Sequence, residues 1–200
     1  KAIVAYVFEK FLESVPNDFE KREGLLFVGG FAHPPNADAV LWFAREIYPK
    51  IREKLEVPFY IVGSKVTEEI QALEQPGNGI IVKGFVSEEE LSELYRTCRI
   101  VVVPLRYGAG VKGKVIEALY NGAPVVTTSI GAEGIAEAES VMYIKDAPEE
   151  FAEETVRLYQ NPEALRELSR KTQYYIRRYY SVDAAWSVVE EDFTKETVKR

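Results

Sequence analysis

The sequence is poor in the residues that build disulfide frameworks and clustered metal sites. Its 200 residues include one cysteine, Cys98, and one histidine, His33. One residue of each type excludes a disulfide framework and a zinc site built from several cysteines and histidines. The lack of a disulfide framework favours a reducing compartment, and we expect a cytoplasmic protein.

An excess of positive charge and long apolar runs are also missing. Lysine and arginine number 25 against 32 acidic residues, which gives a formal net charge of -7. Without a basic face to displace counterions from phosphates, nucleic acid is not an expected partner. No apolar run approaches the roughly 20 residues that cross a bilayer. The chain begins without methionine, and we expect that it belongs to a longer polypeptide.

Six short runs rich in β-branched residues alternate with helical stretches, which predicts a parallel sheet. The runs cover residues 25–29, 57–63, 80–83, 100–104, 124–128 and 141–144. Six such strands in two halves predict a Rossmann-like, doubly wound α/β fold with strand order 3-2-1-4-5-6. Its ligand crevice lies beyond the carboxyl ends of the first and fourth strands. The candidate ligand loops are therefore residues 29–36 and 105–114.

The first helices carry start and stop signals. Asn36 is predicted to cap a helix that ends near residue 54. Ser87 with Glu90 predicts a capping box for the helix before the fourth strand. A short helix after the fourth strand is predicted to end at Gly122, in the position where glycine accepts a left-handed backbone.

After the sixth strand the pattern is purely helical. Helices are predicted over residues 148–160, 162–180 and 182–199. The chain is therefore divided into three parts: an upstream helix and linker at 1–23, a Rossmann-like core at 24–146, and C-terminal helices packed on the core at 147–200.

The glycine-rich segment at residues 108–113 fits two phosphate-binding patterns in part. It matches G-x-G-x-x-G, but it follows the fourth strand, and the next strand ends in Thr127 and Thr128 without the acidic residue that would hold a ribose. It also approaches a P-loop, but Val115 replaces the hydroxyl that binds magnesium. Both readings are disfavoured on chemistry.

The longer string from Pro104 to Thr128 resembles the group-one glycosyltransferases of GT-B fold. Its core reads Glu-Ala-Leu-Tyr-Asn-Gly-Ala-Pro-Val-Val, beginning at Glu117. The segment Leu-Phe-Val-Gly-Gly, which ends at Gly30, resembles the opening of the same domain. The resemblance covers about residues 24–180. It implies the C-terminal, donor-binding half of a two-domain enzyme.

The resemblance assigns roles to residues of this chain. It implies that Glu117 holds the ribose of the donor, which a carboxylate can do by accepting bonds from both vicinal hydroxyls. It also implies that the backbone at Phe85 and Val86 contacts the edge of the base in the donor nucleotide. Phosphate contacts are expected from the cations and glycines of the two candidate loops: Arg106, Lys112, Lys114, Gly29, Gly30, Gly108 and Gly110.

Two departures from the family pattern stand out. Ala109 occupies the place of the family's first glutamate, which contacts the sugar. The arginine and lysine that clamp the diphosphate on the first loop are also missing, because Gly30 and two prolines stand there. Lys114, at the start of a helix, is the expected replacement, with Lys112 and Arg106 nearby.

The sequence therefore predicts the donor domain of a retaining glycosyltransferase. The expected donor is a UDP-, GDP- or ADP-sugar, with no cofactor and no metal, because the chain contains no Asp-x-Asp. The expected partner is an N-terminal acceptor-binding domain, and the acceptor could lie at the inner membrane surface, as in polysaccharide biosynthesis. Two alternatives remain: a noncatalytic nucleotide-sugar-binding module, and a nicotinamide-dependent Rossmann domain.

Overall fold

A six-stranded, all-parallel sheet forms the centre of the protein. The computed structural model describes residues 6–14 and 16–197, with side chains to residue 190. The strands are Leu25–Val28 (β1), Phe59–Val62 (β2), Ile80–Gly84 (β3), Ile100–Val103 (β4), Val125–Thr127 (β5) and Tyr143–Ile144 (β6). They lie in the order β3-β2-β1-β4-β5-β6. The predicted strand order is confirmed.

The central strands are apolar because helices cover the sheet on both faces. All four residues of β4, an Ile-Val-Val-Val run, are buried. Successive side chains of a strand point to opposite faces, so complete burial requires cover on each side. Leu25 in β1 pairs with Phe59 on one side and Ile100 on the other. Strands β1 and β4 are therefore neighbours. After β1 the chain continues to β2 on one side of the pair, and after β4 it continues to β5 on the other side.

Helices connect the strands and complete the chain. They are Pro34–Trp42 (α1), Tyr48–Arg52 (α2), Glu68–Gln71 (α3), Glu88–Thr97 (α4), Gly113–Tyr120 (α5), Ser129–Ala132 (α6), Pro148–Tyr159 (α7), Pro162–Tyr180 (α8) and Val182–Thr197 (α9). A π-helical stretch, Phe43–Ile47, joins α1 to α2. Helices α2 and α7 pack together, as do α5 and α8. The three predicted C-terminal helices are confirmed within a few residues.

The prediction that Asn36 caps the first helix is wrong. The helix begins at Pro34, with His33 in the capping position and no side-chain cap. Proline fits the first helical turn because its missing N–H has no intrahelical acceptor there. Asn36 therefore lies inside the first turn, where its side chain is buried and makes tertiary contacts instead.

Of two other helix signals, the capping box at Ser87 is confirmed in part and the ending at Gly122 is confirmed. Ser87 accepts a hydrogen bond from the backbone N–H of Glu90. The Glu90 carboxylate does not complete a box but accepts from Lys83, at 2.7 Å. Gly122 has φ +68° after α5, and the N–H groups of Gly122 and Ala123 bond to carbonyls of the last turn. This is a Schellman ending, which requires the left-handed conformation at Gly122.

The predicted helix within the first 23 residues is absent from residues 6–14 and 16–23. Residues 1–5 and 15 lie outside the described part of the chain. The extended segment instead packs on the core: the Phe8 ring stacks on Tyr120 with centroids 4.0 Å apart. The Phe8 N–H donates to the carbonyl of Tyr180 at 2.8 Å, and Phe19 is fully buried. The described part of this segment is therefore held on the core by apolar burial, and not as a helix.

Candidate functional site

The carboxyl ends of β1 and β4 open into a small crevice between the two candidate ligand loops. Its cavity has a volume of about 200 Å³. Three predicted site residues, Gly108, Lys112 and Lys114, line it. The remaining lining residues are His33, Pro35, Asn36, Leu105, Tyr107, Ala109, Val111 and Gly113. The crevice lies where the strand order predicted it.

Close backbone packing is found beside this crevice, where β1 and β2 end. A Cβ on Gly29 would lie 2.6 Å from the Nζ of Lys114, and a Cβ on Gly63 would lie 1.9 Å from the carbonyl oxygen of Gly29. Gly63 also has φ +155°. Neither position can carry a side chain without a shift of its neighbours. Gly30, by contrast, is exposed, and a Cβ there would lie 3.3 Å from the hydroxyl of Ser64.

Lys114 is held at the crevice by neutral groups. Its ammonium donates to the Oδ1 of Asn36, and the Nδ2 of Asn36 donates to the carbonyl of Gly30 at 2.8 Å. The Nζ also lies 4.5 Å from the centroid of the Phe27 ring. Among the described residues no carboxylate forms an ion pair with Lys114. Burial lowers the pKa of Lys114 to about 7, because desolvation disfavours the ammonium.

The two other predicted cations are already paired with carboxylates. Arg106 makes a two-pronged contact with Asp38, its Nε lying 2.9 Å from the Oδ2. Lys112 lies 3.0 Å from the Glu133 carboxylate and also donates to the carbonyl of Gly110. The structure therefore gives the crevice one cation without an internal counterion and two that are neutralised.

The glycine-rich loop carries the chain from β4 to the start of α5. Gly108 has φ +128° and Gly110 has φ +77°, a region that side chains disfavour. The first intrahelical bonds of α5 are those of Val115 and Ile116 to the Lys112 carbonyl. The preceding amides, of Gly113 and Lys114, have no intrahelical acceptor, so they offer N–H donors at the positive end of the helix.

Glu117 lies on α5, one turn beyond Lys114, and is half-buried. Burial raises the pKa of its carboxyl, while contact with the side chain of Tyr95 lowers it. Tyr95, on α4, is 2% exposed. Its hydroxyl reaches no hydrogen-bonding geometry with any described residue. The carboxylate therefore lies beside a buried, unpartnered donor.

Phe85 and Val86 follow β3, two strands away from the crevice at β1. Gly84 has φ +68°, and Phe85 after it is 82% exposed. Val86 is half-buried and packs against the core. Neither residue lines the crevice cavity, and neither do Gly29, Gly30, Arg106, Gly110 or Glu117. The predicted residues therefore do not form one cluster: three of them line the crevice, and the other seven lie outside its lining.

Sequence reasoning missed two functional candidates. Asn36 was assigned to a helix cap, but its amide links Lys114 to the first loop. A signal was present in the two prolines before it, which favour a helix start at residue 34. Tyr95 occupies a helical core position, and no sequence pattern distinguishes it from a packing residue.

Within residues 6–14 and 16–197, no group of histidine, cysteine, aspartate and glutamate side chains is arranged to hold a metal ion. No described helix is both long and apolar enough to span a membrane.

The chain belongs to the glycosyl transferases group 1 family, whose sequence model matches residues 22–161. An uncharacterized 44.6 kDa protein in the cps region of Klebsiella pneumoniae is 28% identical over 173 residues. That alignment covers 82% of this chain and 44% of the relative. The chain thus spans less than half the length of this curated relative.

Solved glycosyltransferase structures share the fold. TarM from S. aureus matches with a TM-score of 0.73 at 18% identity, and the match covers 94% of this chain and 38% of TarM. That structure is of a TarM variant crystallised with fondaparinux, α-GlcNAc-glycerol and UDP. The C-terminal domain of LpcC from Francisella tularensis has a TM-score of 0.65 at 17% identity, covering 88% and 97%. The protein therefore has the Rossmann-like architecture of one half of a GT-B fold.

Proposed function

We propose that this chain binds the nucleoside diphosphate of a sugar donor in a retaining, metal-independent glycosyltransferase. The observation that carries the proposal is Lys114, a half-buried cation at the sheet crevice with no carboxylate partner among the described residues. A buried charge is costly unless it is paired, and an incoming diphosphate would supply the missing anion.

Three neighbouring features match the parts of such a donor. Lys114 and the amides that begin α5 suit the diphosphate, because helix N-termini and cations both favour phosphate. Glu117, one turn along the same helix, suits the ribose hydroxyls. The backbone at Phe85, farther along the same edge of the sheet, suits the base. We propose that the three features receive the phosphates, the ribose and the base of one nucleotide.

Metal independence follows from the same arrangement. Charge on the leaving diphosphate can be stabilised by Lys114 and backbone N–H groups, without an ion. Retention is inferred from the family resemblance. The Klebsiella pneumoniae relative and TarM are each more than twice as long as the part that aligns, so we propose that transfer also requires an acceptor-facing domain. Without it, donor and acceptor are not held in reacting geometry, which is worth about 7–11 kcal/mol.

A titration of the chain with UDP, GDP, ADP and NAD, all in chelator, tests the proposal. We expect one nucleoside diphosphate to bind with magnesium absent, NAD not to bind, and no sugar transfer from a radiolabelled donor. A strict magnesium requirement would instead support the P-loop reading, and preferential NAD binding would support an oxidoreductase.

The role of Glu117 is tested by Glu117→Ala. Loss of charge-assisted hydrogen bonds to the ribose is expected to weaken binding by about 1.5–3 kcal/mol. Glu93→Ala is the matched control, because Glu93 lies on α4 in an exposed pair with Arg96. Calorimetry of both variants with the preferred diphosphate gives the comparison. Equal affinity of Glu117→Ala and the wild type would remove Glu117 from the site.

A noncatalytic nucleotide-sugar-binding module is the second candidate. It is favoured by Ala109, which lines the crevice where the family resemblance places a glutamate that contacts the sugar. The two candidates differ in one result: both bind the diphosphate, but only the enzyme transfers sugar when the acceptor-facing domain is present.

A further inference from the structure

Tyr95 carries a buried hydroxyl that lacks the partner such a group normally has. The residue is 2% exposed, and its hydroxyl makes no hydrogen bond with the described residues. Most buried polar groups in proteins are hydrogen-bonded, so each exception requires a physical reason. A phenylalanine would fill the same volume without the desolvation cost. We therefore expect this hydroxyl to have a hydrogen-bond partner in another state of the protein, such as the ligand-bound one.

The group beside this hydroxyl is the carboxylate of Glu117. The two side chains lie on α4 and α5 and interact: burial and then the Glu117 charge raise the pKa of Tyr95. Burial raises the pKa of the Glu117 carboxyl and Tyr95 lowers it. The Tyr95 side chain thus favours the ionised carboxylate.

We propose that Tyr95 is a positioning residue, whose hydroxyl donates to one oxygen of Glu117 and orients the other oxygen toward the ribose of the bound nucleotide. The proposal rests on the proposed function. A carboxylate has two oxygens and about four acceptor positions, so it can hold a tyrosine and two ribose hydroxyls at once. In the free protein the Tyr95 hydroxyl lies outside hydrogen-bonding geometry, and we expect that binding of the ribose to Glu117 brings the two groups into it.

The geometry separates this role from a packing role. Tyr95→Phe keeps the ring in the core and removes only a hydroxyl that has no bond among the described residues. The thermal midpoint of the variant should therefore stay close to that of the wild type. Affinity for the preferred nucleoside diphosphate should nevertheless fall about three- to tenfold, which corresponds to the net contribution of about one ordinary hydrogen bond.

The pH profile supplies a readout that a packing role would not move. Glu117 must be ionised to accept from ribose hydroxyls, so affinity falls as the pH drops through the pKa of its carboxyl. Removing the Tyr95 hydroxyl should raise that pKa further and move the acidic limb to higher pH. Glu117→Gln should remove the share of the limb that the carboxyl contributes and leave the share that comes from the ligand's own terminal phosphate, which titrates at about pH 6. The other carboxylates near the crevice, Asp38 and Glu133, are paired with Arg106 and Lys112 in all these variants.

The experiment is a double-mutant cycle measured by calorimetry on the whole chain. It compares the wild type, Tyr95→Phe, Glu117→Gln and the double variant, each with the preferred diphosphate and with its 2′,3′-dideoxy analogue. We expect Tyr95→Phe to have no effect once Glu117 is changed, and no effect on the dideoxy ligand. Such coupling is the expected signature of two residues that act as one unit.

Two results would contradict the inference. Additive losses, or an equal loss with the dideoxy ligand, would show that Tyr95 acts by packing and not through Glu117. Unchanged affinity in Tyr95→Phe alongside a clear loss in Glu117→Gln would overturn the inference and leave the proposed function standing. No loss in Glu117→Gln would overturn the ribose role itself.

Discussion

The two loops at the crevice contribute opposite kinds of group. The first loop, at residues 29–36, supplies bare backbone and the neutral amide of Asn36. The second, at residues 105–114, supplies three cations, of which Arg106 and Lys112 are paired with carboxylates while Lys114 contacts the first loop. The difference shows that the number of cations in a loop does not determine its anion-binding capacity. What matters is which cation lacks an internal counterion.

The sharpest test of this comparison is Lys114→Met beside Lys112→Met. Methionine keeps the apolar stem, so each change removes mainly the charge. We expect Lys114→Met to weaken diphosphate binding by about 1.5–3 kcal/mol, roughly 10- to 100-fold, because it removes the uncompensated cation. Calorimetry with the nucleoside diphosphate and with the free nucleoside measures the effect. The nucleoside should bind both proteins alike, because it has no phosphate.

Lys112→Met is the matched control for charge. Its ammonium is already neutralised by Glu133, so we expect less than about a threefold change in diphosphate affinity. A larger loss in Lys112→Met than in Lys114→Met would reverse the comparison. Equal losses of diphosphate and nucleoside in Lys114→Met would make Lys114 a structural residue.

A second test acts on the first loop without changing any charge. Gly29→Ala places a methyl group 2.6 Å from the Nζ of Lys114, so the ammonium has to move. We expect about a tenfold loss of diphosphate affinity, equivalent to about 1.4 kcal/mol. Gly30→Ala is the control, because its methyl group would meet only the Ser64 hydroxyl at 3.3 Å. Similar effects of the two changes on the dissociation constant would contradict a specific fit between Gly29 and Lys114.

The smallest expected effect is on proton linkage. Lys114 has a pKa of about 7 in the free protein, and a bound phosphate would raise it. Below pH 7 the ammonium is already charged; above pH 7, binding takes up a proton. Affinity should therefore fall about five- to tenfold from pH 7 to 8.5. Calorimetry in buffers of different ionisation enthalpy measures the uptake, which Lys114→Met should abolish.

The same shift predicts the pH dependence of stability. Because the folded pKa of Lys114 lies below its ordinary value of 10.5, the unfolded chain binds more protons between these values. The free energy of unfolding should therefore rise with pH above about 7 and level off near the ordinary value. Denaturant titrations of the wild type and Lys114→Met provide the check, and parallel curves would show that Lys114 is not buried as described.

Regular elements were predictable because their signals are local. The buried β4 needs only a run of β-branched residues, and the helix ending at Gly122 needs only a residue that accepts positive φ. The missed elements depend on competition between local signals. Asn36 is a good cap residue, but the two prolines before it start the helix earlier. The described part of the first 23 residues is extended because Phe8 and Phe19 gain more from burial on distant elements.

Sequence alone determined the fold, the strand order and the edge of the sheet where the candidate site lies, because apolar periodicity, glycine positions and the family motif are written in short stretches. Tertiary structure decided which charges are free. Lys114 and Asn36 are 78 residues apart, and Arg106 and Asp38 are 68 apart. Such pairs form only when β1 and β4 lie side by side. The burial of Lys114 and the meeting of Tyr95 with Glu117 are likewise consequences of packing between helices and sheet.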